Sequence, residues 1–215
     1  MSATPMNGKT ARCAEPALRG RGQVRLFHDG CLFASSDAVL QSRRYSASLL
    51  IAITETDFEI EIDGRTERHG VAALRPFVAR RLNARNVPYV CLDLTPEHPL
   101  FRAFSAIPGN GCLGIPRARF ASLAGALRDF HAGAMAGCKE SQRLYHRATN
   151  LAATVLPAPR PLDPRVQRVM RLLGLGLAFS VSELARHCCI SPDRLSHLLS
   201  QELGITLRQY TQWLK

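Results

Sequence analysis

The pattern of apolar and polar positions changes once along the chain, near residues 108–109, and predicts strands before that point and helices after it. Between residues 24 and 104, short segments alternate apolar and polar side chains, a period that is typical of antiparallel strands. Asp63-Gly64 predicts a two-residue hairpin turn, because such a turn needs positive φ, and Pro76 predicts the end of a strand. This half of the chain therefore predicts a β-sandwich or a β-barrel.

Helical spacing replaces the alternation after residue 109, and predicts two amphipathic helices joined near Gly137. Their apolar faces consist of Phe120, Leu123, Ala124, Leu127 and Phe130 in the first helix and Leu144, Ala148, Leu151 and Val155 in the second. We expect these faces to pack on the strands. Packing against a second copy of the chain is the alternative.

A proline-rich segment at residues 157–164 predicts a stiff linker. It ends at Asp163-Pro164, a capping residue followed by a first-turn proline, which predicts the start of a helix. That helix has one apolar face, which consists of Val166, Val169, Met170 and Leu173. A new helical unit is therefore expected from about residue 165 onward.

Residues 181–200 predict two short helices joined by a tight turn, with the apolar spacing of a helix-turn-helix. Leu184 and Ala185 lie in the first helix, and residues 188–190 form the turn. Ser191 is the predicted cap of the second helix, and Pro192 has no N–H to lose in its first turn. The second helix has an apolar face of Leu195, Leu198, Leu199 and Leu203 and an outer face of Asp193, Ser196, His197 and Ser200.

This stretch, together with the following ELGITLRQYTQWL, resembles the first helix-turn-helix of the AraC/XylS family of bacterial transcription regulators. The matching positions are Ser191, Leu195, Leu199, Gly204 and Thr206. Leu199 replaces the more usual Phe, and Cys189 stands where Gly is commoner. A plain helical hairpin is the alternative, since a left-handed turn residue costs a non-Gly side chain about 1 kcal/mol.

Residues 45–76 resemble, more weakly, the cupin-like sensing domain that precedes the DNA-binding domain in many of these regulators. The two resemblances imply an α+β protein of two domains, in which a cupin-like β-barrel or sandwich with following helices precedes an all-α, partial DNA-binding domain. The expected divisions are a flexible tail at 1–22, a sensing domain at 23–108, a helical pair at 109–156, the linker at 157–164 and the DNA-binding part at 165–215.

The resemblance implies that the second predicted helix enters the major groove of DNA. Face geometry and the family both place three side chains at the bases: Asp193, Ser196 and His197. The groups expected at phosphates are Arg194, Arg186, Thr206 and the helix start at Ser191. Asp193 would accept a hydrogen bond from a cytosine amino group, and capping of its own helix is the alternative role.

A formal net charge of +11 and a pI near 10.0 favour a polyanionic partner, because association with DNA releases counterions. The charge is spread along the chain and nearly all of it is arginine, so a basic solvated surface explains it equally well. Double-stranded DNA is the partner that the charge and the helix-turn-helix pattern favour together.

Seven cysteines are scattered through the chain without a CxxC pair, which is typical of reduced thiols in a cytoplasm. No segment approaches the roughly 18 consecutive apolar residues of a membrane span, and the N-terminus lacks a signal-peptide pattern. We therefore expect a cytoplasmic protein with no membrane partner.

Many cupin enzymes hold a metal with a close pair of histidines, a nearby Glu and a later His, and the predicted strands lack this pattern. His28, His69 and His98 stand alone in the sequence. Glu59 and Glu61 alternate with apolar residues, which predicts one solvated strand face rather than a catalytic pair. No nucleophile triad, phosphate loop or dinucleotide motif occurs, so we expect no metal, no cofactor and no enzymatic activity.

An antiparallel barrel without metal ligands can still bind a small-molecule effector in its apolar interior. Phe33, Leu49 and Ile51 are candidates for lining such a cavity, with packing in the core as their alternative role. A homodimer is the other possible partner, because the resemblance implies that the two helices after residue 109 pack on the barrel, pair with a second copy, or do both.

The chain ends at Lys215, where the family continues toward a second helix-turn-helix, so the resemblance predicts a regulator shortened after the first one. Three functions stay open. The first, a sequence-specific DNA-binding regulator, explains the most sequence. The second is a shortened protein that dimerises or binds an effector without specific DNA binding, and the third is a cupin enzyme without a metal.

Overall fold

A computed structural model of the chain describes residues 23–135, 137–159, 161–174, 179–204 and 206–213. The predicted tail at 1–22 lies outside these described residues. Ten strands, seven α-helices and a 3-10 helix form the described elements, and strands dominate the first half of the chain. The chain is therefore of the α+β class, as the change in periodicity predicted.

The strands form two antiparallel sheets. They are β1 (Gln23–Phe27), β2 (Gly30–Ser35), β3 (Ala38–Arg43), β4 (Ala47–Ala52), β5 (Phe58–Ile62), β6 (Arg65–His69), β7 (Val71–Leu74), β8 (Ala79–Ala84), β9 (Tyr89–Leu94) and β10 (Cys112–Gly114). One sheet has six strands in the order β1-β2-β9-β4-β7-β10, and the other has four in the order β3-β8-β5-β6. Both sheets are open within the described residues, so the predicted barrel is wrong and the predicted sandwich is correct.

The central strands of the six-stranded sheet are buried on both faces, because a layer of structure covers each side. Strand β4 has no residue exposed along its length. Its Leu50 and Ala52 pack with residues of the four-stranded sheet, and its Leu49 and Ile51 face a second apolar cluster. A strand that is covered on both sides has a nearly continuous apolar sequence, here ASLLIA.

The predicted hairpin and strand end are both confirmed. Asp63 and Gly64 have φ values of 50° and 74°, and they connect β5 to β6 with Ile62 opposite Arg65. Strand β7 ends at Leu74, just before Pro76, and the chain crosses from one sheet to the other before β8. Turn residues that require a special backbone conformation were therefore reliable signals here.

Helices cover the face of the six-stranded sheet that the other sheet leaves free. They are α1 (Phe101–Ser105), a 3-10 helix (Arg117–Leu123), α2 (Ala124–Ala132) and α3 (Cys138–Ala153). The predicted apolar positions Phe120, Leu123, Leu127, Phe130, Leu144 and Ala148 are buried against the strands. The predicted packing role is confirmed, but the first helix is shorter than expected because Gly133 ends it in the left-handed region, at φ 81°.

The C-terminal helices surround an apolar cluster of their own. They are α4 (Pro164–Gly174), α5 (Val181–His187), α6 (Pro192–Leu203) and α7 (Leu207–Trp213). The buried members of the cluster include Val166, Val169 and Leu173 of α4, as the spacing predicted. The predicted start of α4 is also confirmed, since Asp163 Oδ1 accepts a hydrogen bond from the Arg165 N–H at 2.8 Å.

Candidate nucleic-acid interface

Helix α5 begins with two reciprocal hydrogen bonds that define its first turn. The Ser180 hydroxyl accepts from the Glu183 N–H at 3.2 Å, and the Glu183 carboxylate accepts from the Ser180 N–H at 2.7 Å. This capping box satisfies two N–H groups that have no partner within the helix. The Glu183 carboxylate accepts from the Ser180 N–H and also from the Ser180 hydroxyl, at 2.8 Å, and these two bonds lower the pKa of Glu183 from its ordinary value.

A tight turn joins α5 to α6, and Cys189 occupies its left-handed position. The φ of Cys189 is 54°, and the next residue, Ile190, donates its N–H to the Ala185 carbonyl at 3.1 Å. The turn therefore has the backbone conformation for which Gly is more usual, as predicted. The two adjacent thiols stay separate: Cys188 is buried against α4, and Cys189 is exposed.

The start of α6 confirms the predicted cap. Ser191 has extended backbone angles, and its hydroxyl accepts from the Arg194 N–H at 3.2 Å, with Pro192 in the first turn. Because Ser191 is the N-cap residue, Asp193 does not cap this helix. Its carboxylate is exposed in the first turn, near the positive end of the helix dipole.

Helix α6 is held by one apolar face, which sets the direction of its other face. The buried residues of that face are Leu195, Leu198, Leu199 and Leu203. They pack with Leu184 and Ala185 of α5 and with the apolar face of α4. The opposite face is therefore turned away from the cluster and toward solvent.

The three predicted base-reading residues lie on this outer face. Asp193 and His197 are exposed, and Ser196 is half-buried. The Ser196 hydroxyl donates to the Pro192 carbonyl at 3.0 Å, so in this conformation it can offer a partner only its lone pairs. Ser196 can therefore serve a base edge as a hydrogen-bond acceptor.

The arginines of α4, α5 and α6 differ in their exposure and in their hydrogen bonds. Arg194 and Arg186 are exposed. Arg165, in contrast, holds the Asp163 carboxylate through two nitrogens, at 2.9 and 2.6 Å, and lowers the pKa of Asp163 to about 2. Arg168 donates to the His187 carbonyl at 2.9 Å. The two arginines predicted to bind phosphates thus extend toward solvent, next to arginines with structural hydrogen bonds.

Thr206 lies just before α7, at the other end of the helix-turn-helix. Gly204 ends α6 in the left-handed region, at φ 71°, which turns the chain sharply. Thr206 is exposed, and its carbonyl accepts from the Tyr210 N–H at 3.0 Å in the first turn of α7. Of the predicted partners of Tyr210 on one face, Leu214 and the Trp213 side chain lie outside the described residues.

Only one of the three residues that were candidates for an effector cavity lines a cavity of useful size. Ile51 borders a cavity of about 290 Å³ between β4, β7 and the 3-10 helix. Phe33 borders a void of about 10 Å³, which has room for about one water molecule. Leu49 is fully buried in the core. The space between the two sheets is thus filled by side chains, and the larger cavity lies under the helices.

That cavity is lined mostly by apolar residues, together with Thr54 and two charged residues, Glu55 and Arg117. Its apolar lining includes Ile51, Ile53, Val71, Phe120, Ala121 and Leu127. Arg117 at the rim donates to the carbonyls of Glu55 and Thr56, at 3.1 and 2.9 Å, and binds the Asp57 carboxylate. The volume of the cavity, about 290 Å³, is near the lower end of the range for small-molecule sites, about 300 Å³.

His69 stands alone as a histidine in the sequence pattern, but two other side chains lie next to it in the structure. Its Nε2 lies 3.2 Å from Glu67 Oε2 and 3.5 Å from Cys112 Sγ, so three groups that can ligate a metal lie together. Burial raises the pKa of the Cys112 thiol to about 12, and the neighbouring Glu67 carboxylate adds to the rise. Cys112 is far from Glu67 and His69 in the sequence, so spacing alone could not reveal the cluster.

The other predicted polar residues have ordinary structural surroundings. His28 is exposed, and the buried His98 accepts the Leu100 N–H at its Nδ1, at 3.0 Å. Glu59 binds Arg68 at 2.9 Å, and Glu61 lies 3.9 Å from Arg81. Both glutamates occupy the outer face of β5, which confirms the prediction of a solvated face.

A buried charge network lies between the sheets, and no short sequence motif predicted it. The Asp93 carboxylate binds Arg44 and accepts from the Ser48 hydroxyl at 2.5 Å. Arg80 is only 5 % exposed and donates to the same hydroxyl at 2.8 Å. Burial lowers the pKa of Arg80 from its ordinary value, and the Asp93 carboxylate partly offsets that effect. The network pairs Asp93 with Arg44, whereas Arg80 is linked to Asp93 through the Ser48 hydroxyl, and its Nη1 has no hydrogen-bond partner among the described residues.

Comparison with known proteins finds two similar curated proteins, both named arabinose operon regulatory protein. The chain is similar to the arabinose operon regulatory protein of Escherichia coli (strain K12), at 38 % identity over 55 residues, which cover 24 % of this chain and 19 % of that protein. The protein of the same name from Salmonella typhimurium (strain LT2) also matches at 38 % over 55 residues, covering 24 % and 20 %. These matches confirm the resemblance to the AraC/XylS family.

The match spans about a fifth of the length of these curated relatives. No family model matches the chain. Among solved structures, the chain is similar to the AraC-like transcriptional activator CuxR, with a TM-score of 0.42 and 15 % identity over 89 % of this chain and 78 % of that one. ToxT from Vibrio cholerae O395 matches with a TM-score of 0.31 and 9 % identity, over 91 % and 98 %.

A cupin-2 domain from Rhodospirillum rubrum, Rru_A2000, is also similar, with a TM-score of 0.27 and 11 % identity over 60 % of this chain and 95 % of that one. Across the described part of the chain, the helices are all too short or too polar to cross a membrane.

Proposed function

We propose that this chain is a sequence-specific DNA-binding transcription regulator and that α6 is its recognition helix. The observation that carries the proposal is the helix-turn-helix itself: α5 and α6 are both capped, and they share one buried face. The outer face of α6 is left free, with Asp193 and His197 exposed on it. A short helix held in this way fits the major groove of B-DNA.

Each group on this face has a role in the proposal. Asp193 accepts from a cytosine amino group, His197 donates to or accepts from a base edge, and Ser196 accepts through its free lone pairs. Arg194 and Arg186 neutralise phosphates, and Thr206 and the helix start at Ser191 bind phosphate oxygens. The positive net charge of the chain strengthens all of these contacts at low salt.

The remaining parts have supporting roles in the same proposal. Residues 23–108 form a cupin-like sensing domain and 109–156 a helical pair that packs on it and contributes to a dimer. Residues 157–164 form the linker, and 165–215 form the DNA-binding part. An apolar effector binds in the cavity of about 290 Å³ beside Ile51, next to the helices that lead to the linker. The protein acts in a bacterial cytoplasm and is not an enzyme.

The test is fluorescence anisotropy of the purified chain with labelled DNA from upstream of its own gene and with a scrambled duplex, across a salt series. We expect selective binding that persists near physiological salt, because base contacts depend less on counterion release than phosphate contacts do. A dimer would bind two half-sites separated by about one helical turn, or a multiple of it.

Equal, weak binding to both duplexes that disappears as salt rises would contradict the proposal. It would show that only the basic surface contacts DNA. The chain would then act as a module that dimerises or binds an effector without reading sequence. Sedimentation of the same sample, which reports dimerisation without DNA, identifies that outcome.

A further inference from the structure

Two edge strands, one from each sheet, meet at one open side of the sandwich. Strand β6 is the edge of the four-stranded sheet, and β10 is the edge of the six-stranded sheet. Glu67 and His69 lie two residues apart on β6, and Cys112 begins β10. The fold therefore brings together a carboxylate, an imidazole and a thiol from different sheets.

Glu67 and His69 occupy positions where the strand pattern calls for apolar residues. On the neighbouring strand β5, Ile60 is opposite Glu67 and Phe58 is opposite His69. Both β5 residues are buried between the sheets, and residues directly opposite in a sheet point to the same side. Glu67 and His69 thus face the interior side of the sandwich, toward Cys112 on the other sheet.

The two distances from His69 Nε2 match those between ligands of a tetrahedral zinc site. With Zn–N near 2.0–2.1 Å and Zn–S near 2.3 Å, a tetrahedral angle places a nitrogen and a sulfur ligand about 3.5 Å apart and a nitrogen and an oxygen ligand about 3.3 Å apart. The observed separations are 3.5 Å from His69 Nε2 to Cys112 Sγ and 3.2 Å from His69 Nε2 to Glu67 Oε2. The ligand atoms of the three residues all lie within 4.8 Å of one another.

The surroundings hold the ligands and leave a path to solvent. The ring of His69 is 13 % exposed and packs over the backbone of Gly114, where a Cβ would lie only 2.7 Å from the other ring nitrogen, Nδ1. Cys112 packs against the apolar cluster between the sheets. The Glu67 side chain is 50 % exposed, so an ion and a fourth ligand from solvent can reach the cluster.

We propose that Glu67, His69 and Cys112 form a binding site for a divalent zinc-like cation that links the edge of one sheet to the edge of the other. The ion takes His69 Nε2, a Glu67 oxygen and the Cys112 sulfur as ligands and a water molecule as the fourth. The thiol proton passes to solvent when the sulfur binds. Mixed nitrogen, oxygen and sulfur ligation favours Zn²⁺ over Mg²⁺ or Ca²⁺, which prefer oxygen ligands.

A purely structural role for these residues makes different predictions. Inward-pointing charged side chains protect an edge strand from pairing with another chain, and a His–Glu ion pair at 3.2 Å suits that purpose. Such a role requires the imidazole and the carboxylate but not the thiol. Dependence of metal binding on Cys112 therefore separates the two explanations.

The experiment is a titration of the full chain, reduced and freed of metal, with Co²⁺ and then with Zn²⁺. Tetrahedral Co²⁺ gives visible d–d bands, and a bound thiolate adds a charge-transfer band in the near ultraviolet. We expect both signals at one Co²⁺ per chain and their loss when Zn²⁺ displaces the cobalt. The melting temperature should rise with Zn²⁺ concentration, since the ion binds the folded chain.

Two ligand variants and two controls complete the test. Cys112→Ser should abolish the charge-transfer band and weaken Zn²⁺ binding by about tenfold or more, and His69→Gln should weaken it by a similar factor. Cys138→Ser and His28→Gln change an exposed thiol and an exposed imidazole outside the cluster and should bind as the parent does. Circular dichroism of every variant establishes that each is folded.

The proposal is overturned if folded Cys112→Ser binds Co²⁺ and Zn²⁺ as the parent does, or if the parent shows no thiolate band. It is also overturned if Cys138→Ser removes the band. None of these readouts involves DNA, so the metal site and the proposed regulator function succeed or fail separately.

Discussion

At the scale of single residues, specificity in the proposed interface depends on few side chains. Ser196 is restrained by its bond to the Pro192 carbonyl, whereas His197 is exposed on the same face of α6. An imidazole nitrogen can donate or accept according to its tautomer, so His197 is the most versatile group at the bases. It is the residue whose loss should most change sequence preference.

We predict that His197→Ala reduces discrimination at one base pair of the binding site by about 1–3 kcal/mol, because a base-edge contact is lost. The measurement is anisotropy with a set of duplexes that differ at single positions. Affinity for the other sequences should change little, since phosphate contacts persist.

Arg194→Ala is the matched variant for this prediction, because Arg194 is exposed on the same helix but assigned to phosphate. It should weaken binding to all sequences by a similar factor and make the dependence on salt less steep. If His197→Ala instead weakens every duplex equally, His197 does not read a base.

At the scale of elements, α5 depends on its cap because it has only seven residues. Short helices are marginal without tertiary support, and each N–H without a partner at the start adds to the cost. The reciprocal bonds of Ser180 and Glu183 satisfy two such groups. The orientation of α5 in turn supports the buried face of α6.

We predict that Ser180→Ala lowers the free energy of unfolding by about 1 kcal/mol, since the cap acceptor is lost. Chemical denaturation measures the change, and Ser182→Ala, an exposed change in the same helix, is the control and should have a much smaller effect. Equal effects of the two substitutions would show that the capping box contributes nothing specific.

The contribution of the cap should also depend on pH through Glu183. Its folded pKa is lowered, so the carboxylate stabilises the fold above its unfolded pKa, near 4.3, and this contribution is lost as pH falls through the folded value. Denaturation of the parent and of Glu183→Gln at several pH values should therefore give stabilities that converge in acid. A constant difference between them would contradict this role.

At the scale of the whole molecule, Phe77 lies where the sandwich meets the C-terminal helices. Its ring packs against the apolar clusters of both parts and meets Tyr45 edge-on at 5.4 Å. Its backbone has a φ of 65°, which is unusual for a residue with a side chain. Glu202 of α6 adds polar contacts, 3.5 Å from an Arg102 nitrogen and 3.3 Å from the Asp163 N–H.

We predict that Phe77→Ala speeds hydrogen exchange in α6 and α7 more than in the central strand β9, because it removes the ring that packs against both clusters. Exchange followed by mass spectrometry of peptides resolves these elements. Phe27→Ala is the control: among the described residues, Phe27 packs with the sandwich cluster, and its ring lies 4.7 Å from the Tyr145 ring at a tilt of 38°. Identical exchange patterns for the two variants would show that Phe77 has no special role at this junction.

The sequence by itself determined the local features of the protein. The hairpin at Asp63-Gly64, the caps at Asp163 and Ser191 and the left-handed Cys189 were all predicted, because each depends on neighbours within a few residues. The buried face of α6 was predicted for the same reason, since helical periodicity needs only the residues of one helix. The resemblance to the AraC/XylS family rested on these same local positions.

Only the tertiary structure decided how the strands pair and what their pairing brings together. Two open sheets formed in place of a barrel, because closure depends on strand order and tilt, which alternation does not encode. The Ser196 hydroxyl donates its hydrogen bond to the Pro192 carbonyl, one helical turn away. The cavity lies beside Ile51 and the helices rather than between the sheets. His69 gained Cys112 as a neighbour because strands far apart in sequence meet at one edge, and such contacts leave no mark in local spacing.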